Sequence, residues 1–162
     1  MLEDLGLVPF AMTSGSRGYH LHVPLVPRQD FDEVRAFARA LARWIQSRDP
    51  DRLTVEHRKD KRAGRIFIDV LRNGYAQTAV APYAVRARDR APIATPLELA
   101  ELSRSDMDPQ RYTMKNIFRR ISRRGDAWHG MARSARALTK ASRELERRMQ
   151  SEGLRAGLVE AA

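Results

Sequence analysis

The stretch from Asp30 to Arg48 constrains the fold more than any other part of the chain. Phe31, Val34, Phe37, Ala38, Leu41, Trp44 and Ile45 recur at helical spacing, so the segment carries one apolar stripe that another layer must cover. Asp30 stands where a side chain can cap the helix, and Asp49-Pro50-Asp51 breaks it. Arg35, Arg39 and Arg43 fall on a different face at i, i+4 and i+8 and read as a solvated stripe.

The rest of the chain supplies both strands and helices. Asp4 to Leu7 reads as the last turn of an element ended by Gly6 and Pro9, so the chain opens like the interior of a longer fold. Tyr19 to Val26 alternates, with Tyr19, Leu21 and Val23 on one face and His20 and His22 on the other. Arg65 to Arg72 (RIFIDVLR) predicts a second strand, placing Ile66, Ile68 and Val70 opposite Phe67, Asp69 and Leu71. Asn73-Gly74 signals a hairpin from which Gln77 to Val80 can return antiparallel, and Pro82 to Arg88 predicts another short strand. Beyond Pro96 the pattern turns helical. Met131, Leu138 and Leu145, with Ala135, Ser142 and Met149 between, predict a docked C-terminal helix, because under three heptads is short for a coiled-coil dimer. Strand, helix, strands, helices is the order of an α+β fold, with an antiparallel or mixed sheet and flanking helices, and 162 residues suit one domain.

Charge narrows the partners. The formal net charge is +10, and it rests on 26 arginines against 4 lysines. The arginine fork matches phosphate, so a polyanion partner accounts for the excess; the codon bias of a GC-rich genome accounts for it as well. Cysteine is absent, which removes thiolate chemistry and Cys-based zinc sites. No apolar run nears the ~20 residues of a membrane span. MLEDLGLVPF lacks the basic start and apolar run of a signal peptide, so the cytoplasm is the expected location.

Three constellations can carry chemistry. Thr13-Ser14-Gly15-Ser16-Arg17-Gly18 offers small residues, hydroxyls and a cation that together could hold a triphosphate, with His20 following on the strand; Gly/Ser turns of this kind are also common without a ligand. Asp69, between Phe67 and Leu71, either ligates a hard cation or pairs with one of the many arginines. Around it lie Arg58, Lys59, Lys61, Arg62 and Arg65 before the strand, and Arg72, Arg86 and Arg88 after it. Such a set is either solvated charge or the cationic half of a phosphoryl-transfer site. Asp30-Phe31-Asp32 and Asp49-Pro50-Asp51 imitate metal-binding pairs, but the first suits a helix start and the second a turn. His57 and His129 read as surface or local-packing residues.

The segments TSGSRGYHLHVPL, KDKRAGRIFIDVLRN and QTAVAPYAVRARDRAPIATPLELAEL closely resemble the polymerase domain of bacterial DNA ligase D, a primase-polymerase of the archaeo-eukaryotic primase superfamily. The resemblance runs from roughly Leu2 to Met131, with a weaker match at DPQRYTMKNIFRRISRRGDAWHGM, so residues 1–131 are expected to be part of that domain and 132–162 a C-terminal helix and flexible tail. It implies a nucleotidyltransferase of non-homologous end joining that uses Mn²⁺ or Mg²⁺ to add nucleotides to primer ends, two metals clamping the attacking hydroxyl and the leaving pyrophosphate. Carried over, Ser14 and Arg17 match triphosphate-loop positions, His20 the motif histidine, Asp69 the third metal carboxylate, and Arg62, Arg72 and Arg86 basic positions near the nucleotide or that carboxylate. The resemblance also implies partners: DNA ends, nucleoside triphosphates, and a ligase or other end-joining proteins. Two departures stand out. The family's DxD strand precedes the TSG loop, and nothing in MLEDLGLVPFAM can serve for it; Met12 stands where the family usually has lysine. The expectation is a chain with little polymerase activity by itself, either awaiting a separately encoded N-terminal half or retained as a non-catalytic nucleic-acid-binding remnant.

Overall fold

Asp30 starts the longest helix as the spacing requires. In the computed structural model, which describes residues 1–155, its side chain accepts from the Glu33 N–H while the Glu33 side chain accepts from the Asp30 N–H, closing a capping box at the head of α1 (Phe31–Arg48). Phe37, Ala40, Ala42 and Trp44 are buried along α1. Phe31, expected in the stripe, is instead 56% exposed, with its ring edge-on to Tyr75 at 5.7 Å. At the first helical position its side chain lies beyond the covered length of the helix. Arg39 and Arg43 are exposed as expected, whereas Arg35 is half-buried.

The chain divides into two compact units. The first takes Met1–Gly6, Leu25–Thr78 and the described residues from Ala137 on. Its layer over α1 is α3 (Leu138–Ser151), which buries Leu138, Ala141, Leu145 and Met149 and packs on α1 and on the N-terminal 3-10 turn Glu3–Leu5. The docked C-terminal helix is therefore present. It begins at Leu138; Met131 lies apart from it, in a separate 3-10 turn. The Trp44 indole N–H donates to Glu152 Oε2 at 3.1 Å, and Arg48 pairs with Glu152. Gly6 ends the opening turn at φ 75°. The expected tail beyond Arg155 lies outside the described residues.

This unit also holds β3 (Leu53–Thr54) and β4 (Ile66–Phe67), which pair in parallel. RIFIDVLR therefore forms a strand of only two residues, and the return of Gln77–Val80 does not occur among the described residues. Pairing with β3 stops at Ile68 N–H, which donates to Thr54 O, and the Asp69 carboxylate then accepts from Leu71 N–H, turning the chain. A tight turn with Asn73 bonded back to Val70 O occupies the place of the hairpin.

The second unit, Leu7–Pro24 with Ala79–Arg136, is built on an antiparallel sheet in the order β2-β1-β5, from β1 (Phe10–Thr13), β2 (Tyr19–His22) and β5 (Pro96–Leu97). Phe10 faces His22 and Thr13 faces Tyr19 across the hairpin. Ala11, Met12 and Thr13 are fully buried. The segment after Pro82 forms no strand; a single bridge joins Val85 to Ile93. α2 (Ile117–Arg124) completes the unit, and its Arg120 lies buried against Glu101. The fold is α+β, with antiparallel and parallel strand pairs and flanking helices.

Candidate nucleotide site

Five residues join β1 to β2, and their own hydrogen bonds shape them. Ser14 N–H donates to Gly18 O at 2.9 Å, closing the loop, and Ser14 Oγ accepts from both Ser16 N–H and Gly18 N–H at 3.2 Å. Two donors fill the hydroxyl's lone pairs, so its own hydrogen is the group left to donate outward. Gly15 sits at φ +62°, where a side chain is strained, and a Cβ there would stand 2.6 Å from Arg86 Cγ and 3.1 Å from Ala94 N. Glycine at this point lets the Arg86 stem lie against the loop backbone. Gln110 Nε2 donates to Ser16 O at 3.0 Å and holds the far side.

Arg86 is held in turn by the backbone. Its N–H donates to Pro92 O at 2.8 Å and Ala94 N–H donates to Ala84 O at 3.0 Å, so two short segments clasp beside the loop. Among the described residues the guanidinium groups of Arg17 and Arg86 make no ion pair. Ser14, Gly15, Arg86 and the exposed Arg17 thus combine a hydroxyl donor with two uncommitted cations around a backbone free of side-chain bulk, which suits a phosphate chain.

His20 lies one step along β2, opposite Met12. The strand's phase is the reverse of what hydrophobicity suggests: Tyr19 and Leu21 are 40% and 55% exposed, while His20 and His22 take the half-buried face. Trp128 explains the inversion. Its indole N–H donates to Ala11 O at 2.8 Å, and its ring lies 4.7 Å from that of His22, so an anchored aromatic surface receives the imidazole. Burial, helped by the neighbouring His20, pushes the His22 pKa down, keeping that ring neutral.

Arg62, Asp69 and Arg72 belong to the first unit. Arg62 is committed to structure: Nε donates to Glu56 O at 2.9 Å, Nη2 to His57 O at 2.8 Å, and the guanidinium lies 3.8 Å over the Phe67 ring. Arg72 is exposed and donates to Gln77 Oε1 at 3.2 Å. Asp69 is exposed rather than half-buried, because the strand ends before it, and it forms no ion pair among the described residues. The acidic decoys resolve as local chemistry, Asp30 in its capping box and Asp49 accepting from Arg52 N–H. His57 and His129 are exposed; His57 packs edge-on to Phe67.

A two-metal centre needs several converging carboxylates. Among the described residues no three His, Asp or Glu side chains gather, and Asp69 offers one carboxylate with an oxygen already accepting from Leu71. The described donor set does not by itself fit a pair of metal ions.

The buried pair Arg120–Glu101 carries no sequence signal, because its members lie 19 residues apart on elements with no shared period. Arg120 makes two 2.8 Å bonds to the carboxylate and one of 2.7 Å to Pro96 O, and its guanidinium lies 4.7 Å from the Tyr112 ring centre. Burial pushes the Glu101 pKa up, but Arg120, the donating Glu98 backbone N–H and the Tyr112 hydroxyl outweigh it and leave the carboxyl below its ordinary value.

Comparison with known proteins agrees with these motifs. The family described as LigD, primase-polymerase domain, matches residues 1–128. The multifunctional non-homologous end joining protein LigD of Pseudomonas aeruginosa is 34% identical over 145 residues, which cover 88% of this chain and 17% of that protein. LigD of Mycobacterium tuberculosis is 34% identical over 126 residues, 78% of this chain and 16% of that one. The solved polymerase domain of M. tuberculosis ligase D, in complex with DNA, superposes with a TM-score of 0.76 at 32% identity, over 83% of this chain and 46% of that domain. The chain thus spans about a sixth of the curated relatives and under half of the solved domain. With the family model matching residues 1–128 and a relative 34% identical over 88% of the chain, this chain belongs to the LigD primase-polymerase domain family.

Proposed function

We propose that this chain is the nucleotide-binding portion of an end-joining primase-polymerase, a metal-dependent nucleotidyltransferase that extends a primer end at a DNA break. The observation that carries this reading is the cradle at the β1–β2 loop, where Gly15 admits the stem of Arg86, Ser14 keeps a hydroxyl to donate, and Arg17 stands exposed. Arg17 and Arg86 offset the charge of the triphosphate; Ser14 fixes one of its oxygens. His20 supports the same site from the next strand, and Arg72 supplies charge near Asp69. Arg62 acts by positioning, since its guanidinium lies over Phe67 and donates to the Glu56 and His57 carbonyls. Mn²⁺ or Mg²⁺ would stabilise the attacking and leaving oxygens, with Asp69 as one ligand and further carboxylates required beyond the described set. The part of the polymerase fold that carries the family's DxD strand would provide them, and a ligase or other end-joining proteins are the partners such an activity implies. A cytoplasmic location fits this role; no described helix is long and apolar enough to cross a membrane.

Nucleotide binding in Mn²⁺ tests the reading directly. The wild-type chain should bind nucleoside triphosphate, Asp69→Ala should remove the metal dependence, and Arg86→Ala should weaken binding with or without metal. Wild-type protein indifferent to nucleotide, alone or co-expressed with an upstream polymerase fragment, would sink it. The incomplete carboxylate set favours a second reading, a non-catalytic DNA-binding protein, under which Asp69→Ala leaves DNA affinity unchanged and nucleotide does not bind. Primer extension on a 5′-phosphorylated gapped duplex separates the two further: extension lost in Asp69→Ala supports the enzyme.

A further inference from the structure

The second unit carries an unusual helix. α2 turns Ile117 and Arg120 inward, the latter into its bond with Glu101, and leaves the rest of its surface bare. Phe118 is 69% exposed and Ile121 39%, and Met114, on the turn leading into the helix, is 46% exposed. Beside that apolar strip runs a basic one of Lys115, Arg119 and Arg123, all exposed and spaced by four. The neighbouring cations are neutralised: Arg120 by Glu101, Arg124 by Glu98, Arg111 by Asp106. Lys115, Arg119 and Arg123 form no ion pair among the described residues.

We propose that this side of α2 binds single-stranded DNA, the three cations tracking successive phosphates and Phe118 stacking an unpaired base. The inference rests on the reading above for DNA as the partner, and on charge complementarity for the surface. Arg119 and Arg123, four apart on α2, are separated by a rise of about 6 Å, and Lys115 lies in the turn that leads into the helix, so the cations are set out where an extended backbone can lie. A row of uncompensated cations would repel itself without a polyanion beside it. An aromatic ring held next to such a row is the arrangement that stacks bases without regard to sequence. Phe118 has little else to do, since most of its surface faces solvent.

The test is fluorescence anisotropy of a labelled single-stranded oligonucleotide across a salt series, with a blunt duplex in parallel. Arg119→Gln/Arg123→Gln should lower the slope of log affinity on log salt by about 1.4 on the single strand. Phe118→Ala should weaken single-strand binding roughly five- to a hundredfold while sparing the duplex, and Phe118→Tyr should restore it. These side chains are exposed, so urea midpoints should match the wild type; a variant whose midpoint falls is replaced by Arg119→Lys/Arg123→Ala, read for a slope change of about half. An unchanged slope in the double variant, or equal losses on both DNAs in Phe118→Ala, overturns the proposal. So does loss of binding to poly-glutamate with the DNA slope intact, which would assign the helix to an acidic protein. Nucleotide titration of the wild type keeps the two readings apart: a chain that binds no nucleotide but shows the slope change defeats the polymerase reading and leaves the stripe standing.

Discussion

Replacing Arg120 with methionine should be among the most damaging single changes in the second unit. The Arg120 and Glu101 side chains are 7% and 4% exposed. Methionine retains the volume and removes the paired 2.8 Å bonds to the carboxylate, together with the 2.7 Å bond to Pro96 O. Glu101 then keeps only the Glu98 N–H and the Tyr112 hydroxyl, and its charge stays buried without a counter-ion. Breaking a buried pair from one side costs about 3–5 kcal/mol. At roughly 2–4 °C per kcal/mol for a chain of this size, the melting temperature should fall by about 6–20 °C. Arg120→Met/Glu101→Leu removes the orphaned charge and should recover most of the loss. The pH dependence supplies a second check. Glu101 titrates below its ordinary value in the folded chain, so the pair stabilises fully at neutral pH, and that stability drains as pH falls from the ordinary value through the folded one. Thermal melts from pH 7 to 3 should show a steeper acid limb in the wild type than in the double variant. A single substitution costing under about 1 kcal/mol, or a double variant no better than the single, would refute the reasoning.

Other outcomes follow from the same geometry. Gly15→Val should cost about 1–3 kcal/mol in urea unfolding, from the left-handed backbone and the crowding against Ala94 and Ile93, and should displace Arg86 enough to weaken nucleotide binding beyond that loss. Asp30→Ala removes one half of the capping box and should lower stability by about 1 kcal/mol, with the change seen in helical circular dichroism. His22 is held neutral by burial, so stability should fall as pH drops below the ordinary histidine range, and His22→Phe should flatten that limb in melts between pH 7.5 and 5. Glu144, held down to about 2 by Arg147 and then Arg148, should remain ionised at pH 3 by NMR titration, and Arg147→Ala should raise its midpoint.

Long periodic segments were legible in the sequence, and short paired ones were not. α1 and α3 each bury a stripe that repeats over several turns, and the Asp30 cap acts through neighbours within three residues. RIFIDVLR has the composition of a long strand, yet its length is fixed by its partner, and β3 offers only Leu53 and Thr54. The alternation expected over Tyr19 to Val26 holds only through β2, Tyr19–His22, and which of its two faces is covered is decided by Trp128, over a hundred residues away. The site shows the same division. Ser14, Gly15 and Arg17 sit together in the sequence and Arg86 joins them in space, whereas the structural commitment of Arg62 to Glu56, His57 and Phe67 depends on a turn that no spacing announces.

The interleaving of the two units sets an order on synthesis. The second unit draws its last residues from near Arg136, while the first needs α3, which begins about ninety residues after α1 ends. During vectorial emergence from the ribosome the apolar side of α1 therefore waits for its cover until α3 has emerged. Closing so long a loop adds little free energy, since closure cost grows only with the logarithm of length, but it lengthens the interval in which Phe37 and Trp44 can find a wrong neighbour. Nascent chains halted before Leu138 should accordingly engage holdase chaperones through α1, and chains extended past Ser151 should release them.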